Sequence, residues 1–237
     1  MKTVYLDCFA VISGDMLVGT LIDLGVSPET LTTELDKLSL EGEYRIQVSR
    51  VNKRGIQAVQ FKVLLASPAG ELLADTEFLE MDLQSGLTEN PSLETGHEHP
   101  HEHMQEHEHK HEHGHEHTHE HTHEHRSLPQ IITIIEASNL SPFVKQTARE
   151  VFNRLAEAEG KVHGVPPDKI HFHEVGGVDA IIDIVSVAIG MEQLGIEQVI
   201  ASPLHLGGGF VNIQHGLYPV PAPATANLLT EIGRAHV

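Results

Sequence analysis

The start of the chain predicts a strand, a tight turn and a helix. Residues 3–9 form a short apolar run, and apolar positions then recur with helical spacing over residues 15–24. Ser13 and Gly14 lie between these segments as turn residues, and Gly25 follows as the expected end of the helix.

The next segment predicts a second helix and a β-hairpin. Ser27 and Pro28 are typical of a helix cap and a first helical turn. The apolar face of this helix comprises Leu31, Leu35 and Leu38. From residue 44 to residue 65 the apolar positions tend to alternate, with a turn at residues 53–55, which indicates two antiparallel strands.

Beyond residue 127, helical and extended patterns alternate. Helices are predicted over 128–137, 141–160 and 178–194, and Gly160 is the expected end of the second. Residues 171–174 are expected to end a strand, and residues 198–213 to be extended. This alternation predicts an α/β or α+β fold, a mixed sheet with packed helices, whose strand order the sequence leaves undetermined.

A tract rich in histidine and glutamate interrupts the folded parts. Residues 97–125 hold 14 of the 20 histidines, with eight glutamates and one lysine, and so carry −7 of the formal charge of −19. The tract buries almost no apolar surface, and we expect it to be disordered without a ligand. The predicted organisation is an α/β part over 1–90, a His/Glu-rich insertion over 91–126 and a second α/β part over 127–237 that packs with the first.

Composition narrows the classes of partner. Of the 237 residues 40% are apolar and none is Trp, which predicts an aliphatic core. The 15 basic and 34 acidic residues argue against nucleic-acid polymers and anionic membranes as partners. No apolar run approaches the ~20 residues of a membrane span, and the first residues lack the features of a signal peptide. With Cys8 as the only cysteine, we expect a cytoplasmic protein.

The histidine tract is a predicted metal-binding segment. Imidazole nitrogen is the donor that Ni²⁺, Cu²⁺ and Zn²⁺ prefer, and alternate spacing brings many ligands to one ion. An inert linker or an added tag is the alternative. The predicted ligands are His97, His99, His101, His103, His107, His109, His111, His113, His115, His117, His119, His121, His123 and His125.

A second cluster combines His171, His173, Glu174, Asp179 and Asp183. On a strand the two histidines would share one face, and on the following helix the two aspartates share another. Carboxylates on so apolar a helix require a metal, a cationic ligand or hydrogen-bond donors. The sequence favours a catalytic site here over a purely structural network in which the histidines donate to the aspartates.

A third feature places Asp7 at a strand end and Ser13, Gly14 and Asp15 at a helix start. Carboxylates can hold a divalent ion there, and helix N–H groups can receive a phosphate. An ordinary cap at Ser13 with a dipole-compensating Asp15 explains the pattern at least as well. Cys8 is interpreted as a small buried apolar residue rather than a nucleophile.

A fourth segment runs from Ser202 to Thr225. Three consecutive glycines, 207–209, allow close backbone approach to a ligand, and the prolines predict a stiff extended stretch. His205 and His215 are candidate metal ligands there, with a structural role the favoured alternative for each.

These segments together resemble the LarC family of nickel insertion proteins. The matching blocks are residues 7–25, 53–58, 171–184 and 202–225, with a His-rich insertion between them. The resemblance implies a nickel chelatase of the lyase type, a cyclometallase that inserts Ni²⁺ into pyridinium-3,5-bisthiocarboxylic acid mononucleotide. CTP, used with Mg²⁺ or Mn²⁺, would become CMP and pyrophosphate, and the product would be the nickel-pincer cofactor of lactate racemase.

Two features depart from the family pattern. Val11 stands where the family usually has Gly, so a turn that needs positive φ would be obstructed. The chain also ends soon after Thr225, whereas longer members carry a domain associated with CTP. We therefore expect that a separate chain supplies this domain. Whether this chain also forms a homo-oligomer is left open by the sequence.

Two other functions remain open from the sequence. The tract alone would suffice for a nickel storage protein or a metallochaperone without catalysis. The carboxylates would also suit a hydrolase of phosphate ligands with two metal ions. Deleting residues 97–125 would distinguish these functions, because a storage protein would lose its nickel binding whereas a catalytic protein would still act when nickel is plentiful.

Overall fold

A computed structural model describes residues 1–9, 12–66, 72–73, 126–172, 176–213 and 216–232. The helices within these ranges are α1 (Gly14–Asp23), α2 (Pro28–Leu35), α3 (Leu128–Ala137), α4 (Pro142–His163), α5 (Val178–Leu194) and α6 (Pro223–Ile232). The strands are β1 (Thr3–Leu6), β2 (Tyr44–Lys53), β3 (Ile56–Ala66), β4 (Leu72–Leu73), β5 (Gln198–Ala201), β6 (Phe210–Ile213) and β7 (Gly216–Pro219).

Helix α5 lies at the centre of the core. Gly177 precedes it and Gly195, with φ of 63°, ends it in the left-handed conformation that glycine adopts freely. Between these glycines the sequence is apolar on most sides, as expected of a helix packed all round. It contacts α1, α2, α4 and β3. Its fully buried side chains include Ile181, Ile182, Val185, Ala188 and Ile189.

The described strands form three small sheets. Strands β1 and β5 pair in parallel, from Thr3 opposite Gln198 to Leu6 opposite Ala201. Strands β2, β3 and β4 form an antiparallel sheet, and β6 pairs antiparallel with β7. The predicted mixture of helices and strands is confirmed, with parallel and antiparallel pairing in separate small sheets.

Helices α1 and α5 run in the same direction and approach closely at two glycines. A Cβ added at Gly14 would lie 2.5 Å from Oδ2 of Asp183, and one at Gly190 would lie 2.9 Å from Cδ1 of Leu21. The two contacts are seven residues apart on both helices, which shows that their N-termini point the same way. On its other side α1 packs on β3, where a Cβ at Gly19 would lie 2.5 Å from the carbonyl oxygen of Val59.

Most of the predicted elements before residue 66 are confirmed. Strand β1, helix α1 and the hairpin of β2 and β3 lie where the pattern placed them. The hydroxyl of Ser27 accepts a hydrogen bond from the N–H of Thr30 at 3.2 Å and so caps α2. Leu31, Leu35 and Leu38 are buried, as predicted.

Three predictions in the second half were wrong. Helix α4 continues past Gly160 to His163 and ends at Gly164, whose φ is 67°. No strand includes residues 171 and 172, since His171 makes only an isolated antiparallel bridge to Ser127. The proline segment is extended only in part, because α6 begins at Pro223, where proline suits the first turn of a helix.

None of the helices within the described ranges combines the length and the apolar content that crossing a lipid bilayer requires.

Candidate functional site

Asp183 lies in the second turn of α5, against the start of α1. A Cβ at residue 14 would lie 2.5 Å from Oδ2 of Asp183 and 2.9 Å from its Cβ and Cγ, so only glycine leaves room for this carboxyl group. The N-terminus of a helix carries partial positive charge, which favours a carboxylate beside it. The contact between α1 and α5 therefore holds a half-buried acidic group at a helix start.

Ser186 lies one turn further along the same face of α5. Its side chain is 1% exposed, and its Oγ has no hydrogen-bond partner among the described residues. A buried hydroxyl without a partner costs free energy. Core packing therefore does not explain why this face of α5 carries polar side chains.

The start of α1 is not capped by a side chain. Ser13 occupies the N-cap position, yet its hydroxyl donates to Oδ1 of Asp15 instead of accepting from a backbone N–H. Ser13 is thus the N-cap residue by position, but its hydroxyl does not cap the helix. Asp7, Ser13 and Asp15 are exposed, so this group is open to a ligand.

The second predicted cluster is only partly described. His173 and Glu174 lie outside the described residues, as do His215 and all 14 histidines of the tract. His171 is exposed, whereas Phe172 is 1% exposed and its ring centroid lies 6.2 Å from that of Phe152, which confirms that Phe172 points into the core.

Asp179 differs from the expectation for a carboxylate on an apolar helix. It is exposed, in the first turn of α5. Its Oδ1 folds back to within 2.5 Å of the position that a Cβ on Gly177 would take. Of the two aspartates on α5, only Asp183 is therefore partly buried.

Arg126 is hydrogen-bonded to Gly176, two residues before α5, and to Glu43. Its N–H donates to the carbonyl oxygen of Gly176 at 3.3 Å, and its guanidinium Nη2 donates to Oε2 of Glu43 at 2.6 Å. Its neighbour Ser127 bridges to His171. The residue that follows His125 is thus held next to residues 171 and 176.

Cys8 joins the ends of β1 and β5. Its N–H donates to Oγ of Ser202 at 2.8 Å, and its side chain is 3% exposed, which confirms that it is buried. His205 is exposed on the segment that follows β5. Within the described ranges, no three His, Cys, Asp or Glu side chains converge closely enough to hold a metal ion.

Comparison with known proteins decides the family. The family described as "Nickel insertion protein" matches residues 4–236. The chain belongs to this family. The resemblance inferred from the four sequence blocks is thereby confirmed, and no solved structure gives a significant match.

Two relatives within the nickel insertion family carry a more specific name, "Pyridinium-3,5-bisthiocarboxylic acid mononucleotide nickel insertion protein". One, from Geobacillus kaustophilus, is 42% identical over 97% of this chain and 45% of its own length. The other, from Desulfitobacterium hafniense, is 41% identical over 98% of this chain and 44% of its own length. The chain spans a little under half the length of these relatives.

The sequence patterns missed two residues that shape this site. Arg126 follows the histidine tract and Glu43 precedes β2, and nothing in their local sequence links them. A lone basic residue at the end of an acidic tract was the available signal, but it does not indicate a partner 83 residues away.

Proposed function

We propose that this chain inserts nickel into pyridinium-3,5-bisthiocarboxylic acid mononucleotide, giving a nickel-pincer nucleotide. The observation that carries the proposal is the match to two relatives named for this reaction, at 42% and 41% identity over nearly the whole chain. Nickel is a substrate in this reaction, and the protein supplies ligands and a base. The geometry around α5 supports both roles.

Forming a nickel–carbon bond releases a proton from the ring carbon, and a positioned base speeds such a transfer. Asp183 is proposed to accept it, because its carboxyl group is half-buried and held in place against Gly14 at the start of α1. The proposed catalytic residues are His171, His173, Glu174, Asp179 and Asp183. The exposed His171 and Asp179 are suited to receive Ni²⁺ from solvent or from a carrier.

The histidine tract is proposed as the nickel reservoir. The tract ends one residue before Arg126, whose N–H donates to the carbonyl oxygen of Gly176. A nickel ion leaving the end of the tract would therefore enter the fold beside His171. This proximity supports transfer from the tract to the site over storage as an end in itself.

The proposed energy source is CTP, converted to CMP and pyrophosphate with Mg²⁺ or Mn²⁺. Asp7, Ser13, Gly14 and Asp15 are the proposed contacts for this nucleotide or its cation, since the start of α1 lacks a side-chain cap. CMP release is to be measured with this chain alone and with a second chain matching the rest of a relative. Release by this chain alone would contradict the need for a partner.

The proposed use of the nickel-pincer nucleotide is as the cofactor of lactate racemase.

The test of the function is an assay of the product by mass. The chain is incubated with Ni²⁺, CTP, Mg²⁺ and the bisthiocarboxylate nucleotide, with and without that second chain. Formation of the nickel-pincer nucleotide is expected in the complete mixture. Its absence there, with substrate and nickel intact, would contradict the proposal and favour nickel storage.

The role of Asp183 is tested with Asp183→Asn, which keeps the shape of the side chain and removes its charge. Product formation is expected to fall by at least about tenfold, equivalent to ~1.4 kcal/mol in the barrier. The exposed Asp179→Asn is the matched variant, and a smaller loss is expected. Thermal melting is measured in parallel. If Asp183→Asn loses its fold in step with its activity, the carboxylate is structural.

A further inference from the structure

A cavity of about 430 Å³ opens at the carboxyl ends of the parallel strands β1 and β5. Cys8 follows β1 by two residues, and residues 204–206 follow β5. Ligands of open α/β sheets bind outside this edge, because the loops that follow parallel strands converge there. The volume lies within the range of small-molecule sites, about 300–1,000 Å³. The lining of the cavity also includes Ile12, Val211, Val220 and Thr225.

The walls of this cavity are mainly aliphatic. The side chains that interrupt them with polar atoms are those of Cys8, His205 and Thr225, and no Lys, Arg, Asp or Glu is among the described residues that line it. A phosphate group would lack cationic partners here. The pyridinium ring of the proposed substrate fits better, because its positive charge offsets one of its two thiocarboxylate charges, its faces can contact the aliphatic walls, and the hydroxyl of Thr225 can donate a hydrogen bond.

The cavity adjoins the carboxylate of Asp183. Ile12 lines the cavity, and Gly14, two residues further on, packs against Asp183. Two residues span at most about 7 Å of chain, so the wall of the cavity and the Asp183 contact are close neighbours. Asp183 therefore lies near the cavity without lining it.

We infer that this cavity binds the pyridinium ring of the substrate, with Thr225 and His205 contacting its thiocarboxylate groups; the inference rests on the proposed function. The ring is planar and carries its two thiocarboxylate groups at positions 3 and 5, meta to each other. Aliphatic walls would contact its faces, and the ribose phosphate would stay outside the cavity. This assigns to the segment 204–225 the part of the substrate that becomes bonded to nickel.

The experiment uses two exposed threonines of α6. Thr225 lines the cavity, whereas Thr230 does not. The probe is pyridinium-3,5-dicarboxylic acid mononucleotide, the oxygen analogue of the substrate, and its binding to the 237-residue chain is measured by calorimetry. Thr225→Trp fills the cavity and is expected to weaken binding by at least about tenfold, while Thr230→Trp stays within about twofold of the wild type. Circular dichroism confirms that both variants fold.

Competition identifies which part of the probe is bound. Pyridine-3,5-dicarboxylate, which lacks the ribose phosphate, is expected to displace the probe, and ribose 5-phosphate is not. Displacement by ribose 5-phosphate alone would overturn the inference, as would equal binding by both Trp variants or no binding to the wild type.

The product assay separates this inference from the proposed function. Nickel insertion that survives Thr225→Trp would overturn the assignment of the cavity and leave the function in place. Binding that depends on Thr225, without nickel product in the complete mixture, would support the cavity as a ring site and contradict the function.

Discussion

Tyr44 is a residue whose ionisation is linked to folding. Burial raises its pKa from 10.0 to about 12, and the nearby carboxylates of Asp36 and Glu41 add to the shift. The folded protein thus keeps the phenol neutral at a pH where the unfolded chain ionises it. Its contribution to stability is complete below pH 10 and is lost as the pH rises towards 12.

We predict that the free energy of unfolding falls between pH 10 and pH 12 more steeply in the wild type than in Tyr44→Phe. The difference is expected to be about 1 kcal/mol, because solvent around a half-buried ring screens part of the effect. Urea unfolding at several pH values measures it, and the variant subtracts the titration of other groups. Parallel pH profiles for the two proteins would show that Tyr44 ionises equally in both states.

Between helices, the contact of α1 with α5 depends on glycine. At Gly14 the neighbour is not only the end of a flexible side chain, since Cβ of Asp183 also lies 2.9 Å from the position of an added methyl group. The backbone of one helix must therefore shift to admit any larger residue. Both the packing and the position of the carboxylate are fixed by this one contact.

We predict that Gly14→Ala lowers the free energy of unfolding by about 1–3 kcal/mol, as overpacked sites do. Nickel insertion is expected to fall as well, because Asp183 is displaced from the start of α1. Gly208→Ala is the control, since a Cβ there meets nothing within 4 Å. Urea unfolding is compared for both variants, and the product assay is compared between Gly14→Ala and the wild type. A Gly14→Ala protein with unchanged stability would show that the helices separate at no cost.

Helix α5 was predictable from sequence to the residue because an apolar run is bounded by glycines on both sides. The end of α4 was not, because Gly160 has a different use. A Cβ there would lie 2.7 Å from the carbonyl oxygen of Val165, so the glycine permits close packing of the following turn, and Gly164 ends the helix. Local pattern shows that a glycine is needed without showing which of these reasons applies.

The candidate site was predictable in its residue types and only partly in its arrangement. The carboxylates on α5 stood out because they interrupt an apolar helix. Their separation into an exposed Asp179 and a half-buried Asp183 depends on where α1 packs. That contact joins residues 169 apart, and no periodicity encodes such a pairing. The cavity at the ends of β1 and β5 depends in the same way on distant segments.

Across the chain, the described core is assembled from both sides of the histidine tract. Val18, Leu21 and Phe61 belong to the same cluster of buried side chains as Phe152 and Ile181. The ion pair of Arg126, 12% exposed, with Glu43 joins the first residue described after the tract to the start of β2. These contacts are made between described residues on either side of the tract, and we expect the fold to tolerate loss of the tract.

We predict that deleting residues 97–125 removes most nickel binding and leaves the melting temperature almost unchanged. In the full chain, calorimetry is expected to show several Ni²⁺ sites whose affinity falls sharply below pH ~6.5, because an imidazole must be neutral to bind a metal. The deleted chain is expected to retain nickel insertion when Ni²⁺ is plentiful and to lose it first when Ni²⁺ is scarce. The same Ni²⁺ stoichiometry after deletion would show that the tract is not the reservoir. Loss of insertion at every Ni²⁺ concentration, in a chain that still folds, would place the tract in the reaction itself, because a reservoir becomes dispensable once its cargo is in excess.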